Sequence, residues 1–117
     1  MIPLQEIKFE LIKNNKENIS VFTNLKKIDA ENFTVWTTSP YGISELYPLY
    51  NQVSGIYKTP KDAFITILNT LKDFCSKEGY RINYIDNPYN CEFLSVDEQK
   101  KIVDNISINI KVNSDKT

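Results

Sequence analysis

The sequence predicts an α+β fold: a mostly antiparallel sheet, with a three-stranded N-terminal meander and two later strands, carrying one long and one short helix. Three observations lead there. Residues 7–38 read as three β-prone runs separated by short polar turns. Residues 60–78 carry start, stop and periodicity signals of a helix that agree with one another. Residues 106–112 alternate strictly between β-branched and polar side chains.

Taken in order, Ile7, Phe9 and Leu11 alternate with Lys8 and Glu10, the pattern of a strand with one buried face. Asn14 to Asn18 is a polar turn cluster, after which Ile19 to Thr23 resumes a strand that extends less regularly through Leu25 and Ile28. Asp29 to Asn32 is the next turn. Phe33 to Thr38 is rich in β-branched and aromatic residues. Residues 39–58 fit no period, are interrupted by Pro48 and Gly55, and read as a long ordered loop.

The helix over 60–78 follows. Thr59 is placed as N-cap, Pro60 as first helical residue, Asp62 as the capping-box acid and Gly79 as C′. Ala63, Phe64, Ile67, Leu68, Leu71, Phe74 and Cys75 share one face at i, i+3, i+4 spacing. Tyr80 to Ile85 reads as a strand. Strict alternation puts Tyr80, Ile82 and Tyr84 on one side of it, and Arg81 and Ile85 on the other. Asp86 to Asn90 is turn chemistry. Ser95 to Glu98 is a second capping box, opening a short helix over 96–104 with few apolar positions, suited to covering an edge. Ile106, Ile108, Ile110 and Val112 then form the last strand. Residues 1–112 make one domain and 113–117 a frayed polar tail.

The 117 residues carry 14 basic and 15 acidic side chains, a net charge of −1. A nucleic-acid glove would show a basic excess. Histidine is absent, which removes the commonest general base and the commonest metal ligand together. Nucleophilic catalysis of the Ser-His or Cys-His kind is excluded, and two isolated cysteines, Cys75 and Cys91, do not make a zinc site. Three glycines leave no Gly-rich phosphate cradle, and Arg81 is the single residue with a bidentate fork. Asp86 with Asn87 and Asp97 with Glu98 are explained by turn and helix-N-terminus chemistry. No catalytic residue, metal ligand or cofactor is therefore expected; catalysis confined to carboxylates, Tyr or Lys is the residual enzymatic option.

The start of the chain has no charged and apolar leader pattern, and no window approaches the ~18 apolar residues of a membrane span. The expectation is a cytoplasmic protein with reduced cysteines, so the sequons at Asn18, Asn32 and Asn105 are chance matches. Lysine far outnumbers arginine and Asn and Ile are frequent, the composition of an AT-rich, low-GC bacterial genome or one of its mobile elements.

The aromatic residues are the informative ones. Tyr41, Tyr47, Tyr50 and Tyr57 fall in the 39–58 loop, Trp36 precedes it, and Glu45 is its acid. Tyrosine and tryptophan offer large, rigid, partly polar contact area, which is why interfaces are enriched in them. These six residues are the candidate interface. The main expectation is a non-enzymatic binding protein of inhibitor, immunity or anti-defence type whose partner is another protein. The alternative is a small-ligand or nucleotide module with the loop closing over a pocket. A base-stacking platform would need a positive groove, and the loop brings Lys58 alone. A homo-oligomer through a β edge or the aromatic loop is the remaining partner expectation.

Overall fold

The computed structural model describes residues 2–14, 17–38, 56–87, 94–106 and 110–114. It is an α+β fold with one six-stranded mixed sheet and two helices: β1 (Ile2–Lys13), β2 (Glu17–Lys27), β3 (Phe33–Thr38), β4 (Ile56–Tyr57), α1 (Pro60–Glu78), β5 (Arg81–Asn87), α2 (Val96–Ile106) and β6 (Lys111–Ser114). The sheet order is β4-β3-β2-β1-β5-β6. β1 and β2, of 12 and 11 residues, form the long central hairpin. Pairings are antiparallel from β4 to β5, and β5 pairs β6 in parallel. A parallel neighbour needs a crossover, and α2 supplies it.

The pleat of the sheet sorts its side chains. Ile7, Phe9, Leu11, Ile19, Val21, Leu25 and Val35 are buried and join Ile82, Ile85 and Val112 in one core. The same core takes the whole predicted face of α1 together with Ile102 and Val103 of α2, so both helices lie on one side of the sheet. Phe9 meets Phe64 at a ring-centroid distance of 6.0 Å, a tilted aromatic pair at the centre of the layer.

α1 begins and ends as its sequence requires. Thr59 is extended (φ −138°, ψ 154°), and its hydroxyl accepts from the Asp62 N–H at 3.1 Å. Gly79 has φ 78°, and its N–H donates to the Cys75 carbonyl at 2.9 Å. A Cβ there would sit 3.6 Å from Lys13 Cε, so space is adequate and the left-handed backbone is what calls for glycine. α2 is capped by Ser95, whose Oγ accepts from the Glu98 N–H at 3.1 Å and donates to Glu98 Oε1 at 3.3 Å. Its other end is closed by Lys72 of α1, whose ammonium donates to the Ile106 carbonyl. A cation there complements the negative end of the helix dipole.

A buried amide network pins α2 to the sheet. Gln5, Asn87 and Gln99 are 6%, 1% and 0% exposed. Gln5 Nε2 donates to Asn87 Oδ1 (3.2 Å) and to the Leu94 carbonyl (3.0 Å), and Gln5 Oε1 accepts from the Leu94 N–H (2.7 Å). Asn87 Nδ2 donates to Gln99 Oε1 (2.9 Å) and the Asn113 carbonyl (3.0 Å). Gln99 Nε2 donates to Asn87 Oδ1 (2.9 Å) and the Leu94 carbonyl (3.0 Å). All six amide hydrogens are used, which is the condition for burying such groups without penalty.

Several boundaries differ from the sequence expectation. β1 starts at Ile2, because Pro3 and Gln5 pair with Lys26 and Leu25 across an irregular register. The end of the expected 39–58 loop is strand: Ile56 and Tyr57 pair with Thr34 and Phe33. The alternation expected for Tyr80 to Ile85 is broken by a bulge. Glu10 pairs with Tyr84 and Leu11 with Ile82, leaving Asn83 as the extra residue, so Ile82 and Ile85 both reach the core. α2 runs to Ile106, two residues past the predicted end and into the predicted last strand; β6 begins at Lys111 and takes in Asn113 and Ser114, residues expected in the tail.

Candidate functional site

The face of the sheet turned away from both helices carries the other pleat parity. Strand register arranges it in rows. Phe22, Lys8, Asp86 and Asn113 stand side by side on β2, β1, β5 and β6. Beside them run Ser20, Glu10, Tyr84 and Lys111. On the other flank, Trp36 is paired with Asn24, and Asn24 with Glu6.

Lys8 sits at the centre of these rows. Its ammonium lies 5.8 Å from the Phe22 ring centroid and 3.6 Å from Glu10 Oε2. A cation over a ring face with a carboxylate alongside is held by both. Glu10, only 7% exposed, accepts from Ser20 Oγ at 2.8 Å. Asp86 accepts from Asn113 Nδ2 at 3.1 Å. Phe22 and Tyr84 are half-buried. Phe22, Lys8 and Asp86 thus follow one another across neighbouring strands at the ~4.8 Å spacing, with Glu10, Tyr84 and Lys111 in the next row.

The predicted interface residues are placed as follows. Trp36 is in β3, on the backbone position opposite Asn24. Tyr57 is in β4; it is half-buried, packs against the core, and burial raises its phenol above the usual value while a hydrogen bond with Thr66 opposes the shift. Tyr41, Glu45, Tyr47 and Tyr50 lie outside the described residues. The chain leaves β3 at Thr38 and re-enters the sheet at Ile56 beside Thr34, so the segment bearing them starts and ends on β3 and its neighbour.

Among the described residues, no group of three or more His, Cys, Asp or Glu is placed to hold a metal ion, and no helix is long and apolar enough to cross a membrane. Cys75 is buried and free; Cys91 lies outside the described residues. Burial pushes the Cys75 thiol up to about 12, the opposite of an activated nucleophile. The Asp29 turn is held by Asn32, whose amide donates to both carboxylate oxygens at 2.9 and 2.8 Å and keeps the acid below its usual range.

The sequence pattern puts Lys8 on the polar side of its strand and Tyr84 on the side of Ile82, and the expectation for Ile19 to Thr23 left Phe22 unassigned to a face. The signal was present: Phe22 falls out of phase with Ile19, Val21 and Leu25, so it had to occupy the second face. Compared with known proteins, the chain matches no family model, no curated protein and no solved structure.

Proposed function

We propose that this is a non-enzymatic binding protein that acts by contact with another protein, of inhibitor, immunity or anti-defence type. The observation that carries the reading is the Phe22–Lys8–Asp86 row with Tyr84 and Glu10 beside it, on the side of the sheet that neither helix occupies. Interfaces are built from such mixtures, with aromatic groups for contact area and hydrogen-bonded charges for orientation. The Tyr-bearing segment 39–55 links β3 to β4 in sequence, and its tyrosines remain candidates for the same contact.

The test is affinity capture of the partner followed by direct binding measurement with two variants. Phe22→Ala with Tyr84→Ala addresses the sheet face; Tyr47→Ala with Tyr50→Ala addresses the segment. Loss of at least tenfold in affinity in either variant, with unfolding midpoints close to the parent's, supports the reading. Partner binding unchanged in both sinks it.

A further inference from the structure

On the helical side of the sheet, a groove of about 510 Å³ separates α1 from α2. That volume lies within the ~300–1,000 Å³ of small-molecule sites. One wall is the α2 stripe Glu98, Lys101, Ile102 and Ile106; the other is Lys61 and Ile65 of α1. Ile102 belongs to the core, and Ile65 and Ile106 are half-buried against it, so the floor is apolar and anchored.

The charges at its rim are unbalanced. Lys61 and Lys101 are exposed, and among the described residues neither makes a hydrogen bond or ion pair. Glu98, the acid of the lining, is engaged: its Oε1 accepts from Ser95 Oγ at 3.3 Å in the cap of α2. Lys72 is likewise committed, to the Ile106 carbonyl. Two lysines without a partner among the described residues and one acid already turned to its helix cap therefore line an isoleucine floor, an excess of one positive charge. We propose that this groove binds a single-chain amphiphile with a carboxylate head, its alkyl chain along Ile65, Ile102 and Ile106 and its head between Lys61 and Lys101. The site is on the opposite side of the sheet from the surface proposed above and does not depend on it.

Isothermal titration of the full chain with decanoate, decanol and decyltrimethylammonium at low salt tests this. Decanoate should bind saturably at one site and at least tenfold tighter than either comparator. Methyl NMR shifts should move at Ile65, Ile102 and Ile106. Lys61→Ala with Lys101→Ala should weaken decanoate about tenfold, the sum expected of two exposed ion pairs, with an unchanged unfolding midpoint. Equal binding of decanol, an unaffected double variant, absence of saturable binding, or displacement of decanoate by an acidic amphipathic peptide of higher affinity would each overturn the proposal.

Discussion

Asn87 and Gln99 exchange two hydrogen bonds through their side-chain amides, Nδ2 to Oε1 and Nε2 to Oδ1, both at 2.9 Å. One residue ends β5 and the other lies in the second turn of α2, so the pair joins the sheet to its crossover helix in a single register. An apolar contact would hold the helix down without specifying where. A complete amide network rejects any shift that leaves a donor unpaired.

That pair gives the first prediction. Gln99→Leu leaves an Asn87 N–H without its buried acceptor, while the Leu94 carbonyl and Asn87 Oδ1 keep Gln5, and should destabilise by roughly 1–3 kcal/mol in denaturant unfolding. Asn87→Leu alone should cost a similar amount. The double variant should cost clearly less than their sum, because the second change removes a group the first had orphaned. Strict additivity would mean the two amides do not act as a unit.

Gly79 yields a backbone prediction. Its φ of 78° is costly for any residue with a Cβ, although the space beside Lys13 is adequate. Gly79→Ala should therefore lose about 1 kcal/mol. Gly79→Asn should lose less, since asparagine tolerates the left-handed region better. Thermal unfolding of the two variants side by side separates backbone strain from crowding.

Lys72 closes α2 from a different helix. Lys72→Met keeps the stem and removes the ammonium that meets the Ile106 carbonyl, and should lower stability by about 0.5–1 kcal/mol. The loss should localise: amide exchange should accelerate in the last turn of α2 before it does in α1.

The elements that were legible in the sequence are those where local chemistry and burial agree. All seven residues assigned to the inner face of α1 are buried, and Thr59 and Gly79 cap it as their types demand. What stayed hidden depends on pairing between distant segments. Gln5 is in phase with Ile7 and Phe9, yet its partners Asn87 and Leu94 are more than 80 positions away, and a lone glutamine ahead of a strand reads as surface. The bulge at Asn83 is set by the register against β1, so strict alternation misplaced Ile85 relative to Ile82. The parallel β5–β6 pair follows from α2 crossing over the sheet, which no local pattern of residues 106–112 records. Of the candidate interface, Trp36 and Tyr57 could be placed on strands, and the surface row around Lys8 emerged only once β1, β2 and β5 were aligned.

Cys75 makes the fold's stability fall with rising pH. Its thiol is pushed from the ordinary 9.0 up to about 12 by burial, which disfavours the thiolate in the folded state alone. Below the unfolded value both states hold the proton and the contribution is fully present. Between the two values the unfolded chain releases a proton that the folded one keeps, so stability declines there by at most about 1.4 kcal/mol per pH unit. Tyr57, also raised by burial, adds to the decline in the same direction at somewhat higher pH. Urea midpoints at about pH 7, 9 and 10.5 should drop progressively in the parent. Cys75→Ala should start lower at neutral pH, having lost buried volume, but show a shallower decline above pH 9, with Tyr57 supplying the remainder. Equal slopes for parent and variant would place the alkaline loss elsewhere. Alkylation of the native thiol should correspondingly be slow at neutral pH and should accelerate only as the chain unfolds.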